Sequence, residues 1–148
     1  MPIKSFRGKI VDGGIDTISL HTNTGSIGYR ITKFQIIHAE PGEQHAEHTV
    51  KIYTIPQAAG SASNAIDFSD NTLLGVAFLT NSATTGYPAD QMIIFDNMTF
   101  NQDIYLTHLD SGGNSQALNY HIELEQIKLD LNENTVATLK DIRNIESQ

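Results

Sequence analysis

The chain has 148 residues, 17 acidic and 9 basic, giving a formal charge of −8, and it contains no cysteine. That length suits one domain able to bury a core without a covalent staple, the missing cysteines exclude disulfides and thiolate chemistry, and the acidic balance argues against a nucleic-acid backbone as partner. No run approaches the ~18 apolar residues of a membrane span, and Lys4 and Arg7 stand where a signal peptide needs an apolar stretch. The expectation is a soluble protein made in a reducing cytoplasm, with no membrane partner.

Short runs of alternating apolar and polar residues, punctuated by turn residues, predict strands throughout. Residues 3–11 form the first, closed by Asp12-Gly13-Gly14. Residues 15–21 follow, with Ile18 and Leu20 on one face, ahead of the turn Thr22-Asn23-Thr24-Gly25. Residues 27–38 are long and change phase: Ile27, Tyr29 and Ile31 share one face, Phe34 and Ile36 the other. A bulge near Thr32-Lys33 reconciles the two halves.

After a turn at residues 40–43 a strand resumes over residues 50–55, and residues 56–64 read as a small-residue loop. Residues 72–80 are apolar on both faces, which suggests a buried strand or a subunit interface. A loop over residues 81–90 leads to strands at residues 92–99 and 103–109, the second with Ile104, Leu106 and His108 on one face. Residues 120–131 alternate as Tyr120, Ile122 and Leu124, then shift to Ile127, Leu129 and Leu131, implying a second bulge near Glu125-Gln126.

Helical spacing occurs only at the end, where Val136, Leu139 and Ile142 follow a cap at Asn132 or Asn134. Strands without a βαβ rhythm predict an all-β, two-sheet antiparallel sandwich, jelly-roll-like, with a short C-terminal helix. The whole chain, residues 1–148, reads as one domain, with strands in residues 1–131 and the helix or tail in residues 132–146.

No constellation demands catalysis. Leu109-Asp110-Ser111-Gly112-Gly113 echoes protease segments, but a serine nucleophile needs an oriented histidine and an aspartic protease needs a second carboxylate copy. Asp-Ser-Gly-Gly between two strands therefore reads as a tight turn, and the chain as a non-enzyme. Residues 38–48 hold Glu43, His45, Glu47 and His48, which are the ligand types for zinc or nickel. Alternation puts His45 and Glu47 on one face and His48 on the other, so the expectation is a solvated acidic loop, with no metal and no cofactor. Asp67-Phe68-Ser69-Asp70-Asn71 lacks the ligand count and glycine of a calcium loop and reads as a turn.

Charge is uneven along the chain. Lys4, Arg7, Lys9, Arg30 and Lys33 face only Asp12 and Asp16 in the first 33 residues, and acid dominates the rest. Lys4, Arg7 and Lys9 are the expected docking charges for an acidic protein surface. Leu74, Val76 and Phe78, in the two-sided apolar stretch, are the expected subunit interface. A carbohydrate-binding module is the competing reading; it needs exposed aromatic side chains, with Tyr87 the best placed.

The second half carries Ile94-Phe95-Asp96-Asn97, Phe100-Asn101-Gln102-Asp103-Ile104-Tyr105 and Thr107-His108, then Asn119-Tyr120 and Glu123-Leu124-Glu125-Gln126. These are followed by Leu129-Asp130-Leu131-Asn132-Glu133 and Ala137-Thr138-Leu139-Lys140-Asp141. In these segments, and more loosely over residues 31–54, the chain resembles a small family of structural proteins of marine tailed bacteriophages. The resemblance implies a virion component, made in the host bacterial cytoplasm and placed on the capsid as a cement or decoration protein. A tail or adsorption component is the nearest alternative. The implied partners are the major capsid protein and further copies of the chain, a trimer being favoured over a dimer because a closed interface repeats about a symmetry axis.

Overall fold

The computed structural model describes residues 2–20, 26–40, 46–81, 91–113 and 115–129. These form eight strands: β1 (Ile3–Ile10), β2 (Ile15–Ile18), β3 (Ile27–His38), β4 (Ala46–Tyr53), β5 (Leu73–Asn81), β6 (Gln91–Phe95), β7 (Ile104–Asp110) and β8 (Leu118–Lys128). Two antiparallel sheets result, β1-β8-β3 and β2-β7-β4-β5-β6. They pack face to face as a β-sandwich. The expected helix at residues 132–146, the turn at 22–25 and nearly all of the loop at 81–90 lie outside the described residues.

The winding is that of a jelly roll with one strand displaced. First pairs with last, second with seventh and fourth with fifth, which is the nested pairing of eight strands wound as two Greek keys. The missing pair is the third with the sixth. Here β6 stays beside β5 at the edge of the larger sheet, and its contact with β3 includes a side-chain bond from Gln91 Nε2 to the Ile36 carbonyl at 3.4 Å.

Alternation decides which side chains meet between the sheets. From the smaller sheet come Ile10, Ile31, Phe34, Ile36, Leu118, Tyr120, Ile122 and Leu124, all buried. Val50, Ile52, Ala77, Leu79, Ile104 and Leu106 meet them from the larger one. The expected bulge in β3 is present: Ile31 pairs with Leu124 but Lys33 with Glu123, so Thr32 is the extra residue. It leaves Tyr29 and Ile31, then Phe34 and Ile36, all pointing inward.

The second expected bulge, near Glu125-Gln126, is absent. β8 runs in continuous register against β1 from Leu118 to Glu125, and the single break against β3 sits in β3. By simple alternation Ile127 falls on the opposite face of β8 from Leu124, and Leu129 follows the end of the strand. Leu129 folds over Gly28, where a Cβ would stand 3.2 Å from both of its methyl groups. Three other expected strands also differ in extent. β4 begins four residues earlier than expected, β2 ends at Ile18, and β6 ends at Phe95.

A part-buried polar bond ties β8 of the smaller sheet to β2 of the larger one. Tyr120 of β8 donates its hydroxyl to Asp16 Oδ2 of β2 at 2.5 Å, and burial with that carboxylate pushes the phenol pKa strongly up. The ring lies over Gly8, its partner across the ladder, where any Cβ would come within 2.9 Å of the ring edge. Tyr120→Phe should therefore lower unfolding free energy by about 1–2 kcal/mol, since Asp16 loses a buried donor. Gly8→Val should cost more, because the ring has to move. Urea melts of the two variants check both the direction and the order.

On the opposite side, the connection between β4 and β5 lies against the outer face of the larger sheet. Lys51, 4% exposed, donates from Nζ to Ser63 Oγ at 3.0 Å and to the Ala65 carbonyl at 2.8 Å. Burial lowers its pKa, with the Asp70 charge opposing. Asp67 Oδ1 accepts from the Ser69 amide at 2.9 Å, and Asp70 Oδ1 from the Thr72 amide at 2.9 Å. These carboxylates build two successive turns, as the sequence suggests. Lys51→Ala should loosen this connection and cost roughly 1–3 kcal/mol by stranding its acceptors. Faster proteolysis within residues 55–71 is the expected signature.

Candidate functional site

At one end of the sandwich the inward-facing positions turn from apolar to titratable. His48 of β4 and Asp110 of β7 are partners across the ladder, and Val50 is paired with His108. His38, at the end of β3, presents its ring edge-on to His48 with centroids 5.0 Å apart. All three imidazoles are buried, His48 and His108 at 0% exposure.

The chain of donors can be followed atom by atom. His108 Nδ1 is 3.0 Å from the Val11 carbonyl, which can only accept, so that nitrogen carries the proton. His108 Nε2 is then a lone pair, and His48 Nδ1, 2.8 Å away, donates to it. His48 Nε2 is left bare, without a partner among the described residues, as are both ring nitrogens of His38.

Asp110 closes this end. Its Oδ1 accepts from the Glu47 amide at 3.0 Å and the Gly112 amide at 2.9 Å, and its Oδ2 from the Gln116 amide at 2.8 Å. Its own amide donates to Asp12 Oδ1 at 2.7 Å. Burial disfavours its charge, but the three amides and His48 outweigh that and hold its pKa below the usual carboxylate range. The Asp-Ser-Gly-Gly segment is the turn the sequence suggests, with its carboxylate engaged in fastening three strand ends.

Of the metal-ligand candidates, the structure describes Glu47 and His48, which lie on opposite faces of β4. Glu43 and His45 lie outside the described residues. Glu47 points outward and accepts from Ser111 Oγ at 3.2 Å, whereas His48 points into the core. The expectation of a solvated loop is wrong for His48, because β4 already begins at Ala46 and strand alternation turns position 48 inward. Among the described residues no three histidine, aspartate or glutamate side chains converge as a metal site.

The basic residues divide between two faces. Arg7 and Lys9 project from the outer face of the smaller sheet, paired in register with His121 and Asn119. Lys4, on the other face of β1, sets its Nζ 5.8 Å from the centroid of the Tyr29 ring. The apolar stretch divides too. Leu74 is in the core cluster, Val76 is buried on the outer face, and Phe78 beside it is half-buried. The chain itself covers Val76, so the second apolar face of β5 is partly satisfied without a partner.

Beyond Val76 the apolar character continues to the sheet edge. Ile94 pairs with Val76 and Met92 with Phe78, and Met92 and Ile94 are 63% and 48% exposed. Phe68, 65% exposed, lines a shallow depression with Ile94, Leu73 and Met98. Sequence reading missed this stripe because β6 resembles any short strand; its edge position depends on the displaced pairing.

The histidine end makes stability depend on pH. Burial chiefly, then the neighbouring His108 and His38, push His48 down to about 4, against the opposing pull of Asp110 and Asp12. Burial likewise lowers His38 and His108. Unfolded histidines take up protons near pH 6.5 while folded His48 resists until about pH 4, so its contribution is fully present above pH 6.5 and lost as pH falls. The loss from His48 reaches roughly 3 kcal/mol. Urea melts from pH 7.5 to 4.5 should show that decline, and His48→Leu, though less stable at pH 7.5, should flatten it.

No family model matches the chain, and no curated protein matches it.

Proposed function

We propose that the protein is a non-enzymatic structural component of a tailed-phage virion, a cement that bridges neighbouring subunits of the capsid shell. One observation carries the adhesive part of this reading: the apolar stripe formed by Phe78, Met92 and Ile94 runs out to β6, which among the described residues is the edge strand of the larger sheet. Exposed contiguous apolar surface and an unpaired strand edge are features that protein partners cover. Resemblance to phage structural proteins supplies the shell as the partner. The described turns and buried polar groups fit a rigid adhesive module, since their carboxylates are engaged in holding strand ends.

A cement meets several equivalent subunits, so the reading includes self-association, with a trimer preferred for a threefold position on the shell. The stripe then has two uses, contact between copies and contact with shell.

The test pairs light scattering with shell rupture. Wild-type protein at tens of micromolar should run above the 16.3 kDa of one chain. Shells lacking it should assemble but rupture at lower temperature, and adding it back should restore resistance by mass action. Met92→Glu with Ile94→Glu should weaken shell binding about tenfold or more, while changing unfolding by less than about 0.5 kcal/mol as exposed positions do. A monomeric wild type would remove the oligomer. Copurification with tails and never with heads would replace the cement with a tail component.

A further inference from the structure

The outer face of the smaller sheet, on the opposite side of the sandwich from the apolar stripe, is concave and basic. A groove of about 820 Å³ crosses its three strands and reaches Gln91 at the start of β6. That volume falls within the ~300–1,000 Å³ common for small-ligand sites. Register builds its floor from two rows: Arg7, His121 and Gln35 in one, Lys9, Asn119 and Ile37 in the next.

The chemistry of these rows is selective. Among the described residues, no carboxylate lines the groove, although the chain carries a net charge of −8. The two acids of this face stand in the adjoining rows: Glu123 is paired with Lys33, and Glu125 is held by Arg30 at 2.7 Å. Arg7 and Lys9 are exposed and make no ion pair among the described residues. Three side-chain amides, Gln35, Asn119 and Gln91, complete the polar lining.

We infer that this groove binds an acidic oligosaccharide, its carboxylates over Arg7 and Lys9 and its hydroxyls against the amide side chains. Arginine matches a carboxylate with two parallel N–H donors, and lysine adds a mobile point charge. Each amide offers both a donor and an acceptor, which suits neighbouring hydroxyl groups that act as both. An acidic peptide fits less well. Peptide strands gain affinity by adding to a sheet edge and filling side-chain pockets, whereas this groove crosses the middle of the sheet over a floor whose exposed apolar residue is Ile37, 57% exposed. The site stands independently of the shell contact, because the two surfaces share neither strand face nor residues.

Calorimetry on the full chain with a uronic-acid hexamer, a neutral glucose hexamer and a glutamate hexapeptide tests this. The uronate should bind with Kd below ~1 mM, more weakly as salt rises because exposed charges are screened. The neutral sugar and the peptide should each bind at least about tenfold more weakly. Amide resonances of Gln35, Asn119 and His121 should shift on titration. Arg7→Ala with Lys9→Ala should reduce uronate affinity about tenfold or more, whereas Lys33→Ala, on the same face outside the groove, should leave it unchanged. If that double variant fails to fold, Gln35→Ala serves in its place with a smaller loss. Equal binding of the neutral sugar, a peptide that binds as tightly as the uronate, shifts confined to other residues, or no binding at all would each overturn the assignment.

Discussion

At the histidine pole the start of β4, the turn after β7 and the approach to β8 are all held by one group, the Asp110 carboxylate. A sandwich has to close its open ends, where backbone groups leave the ladders and face the core. Asp110 solves this at one end by accepting from the amides of Glu47, Gly112 and Gln116. Its own amide reaches Asp12, so the turn between β1 and β2 is fastened to the turn between β7 and β8. With that end closed, His48 and His108 are sealed from water as neutral rings, joined to each other and to the Val11 carbonyl. The acid sensitivity expected of the fold comes from this closure, because burial chiefly, and the neighbouring imidazoles next, disfavour a charged His48 ring there.

The opposite constraint acts along β3. A twelve-residue strand must keep one face on the core over its whole length, and an uninterrupted period of two would turn Phe34 and Ile36 outward once Tyr29 and Ile31 point in. Thr32 absorbs the mismatch as a bulge. The bulge also places Lys33 beside Glu123 and leaves Gln35 and Ile37 on the outer face, where they help to floor the basic groove. One inserted residue therefore fixes both the inner packing and the outer chemistry of the smaller sheet.

Displacement of β6 separates the two outer surfaces. Were it paired to β3, the smaller sheet would have four strands and a covered edge. Placed beside β5, it carries Met92 and Ile94 to the edge that the larger sheet has among the described residues, while Gln91 reaches back to the Ile36 carbonyl. The result is an apolar stripe on one side and a basic groove on the other.

Local pattern alone carried the architecture. Alternation and turn residues suffice for an all-β sandwich, for the bulge at Thr32, for the turns at Asp110 and Asp67, and for the shared face of Ile104, Leu106 and His108, because each depends on residues a few positions apart. The rest required pairing across the fold. His48 read as part of a solvated loop, since no local signal shows that β4 starts at Ala46 or that His108 and His38 lie beside it, 60 and 10 positions away. Lys4, Arg7 and Lys9 read as one basic arm, but a strand sends neighbouring parities to opposite faces, and only Arg7 and Lys9 face the groove. Leu74, Val76 and Phe78 read as one interface, yet the chain buries the first two, and the exposed apolar surface lies one strand further out. Such surfaces are made by which strands become neighbours, and that choice is settled by burial summed over both sheets.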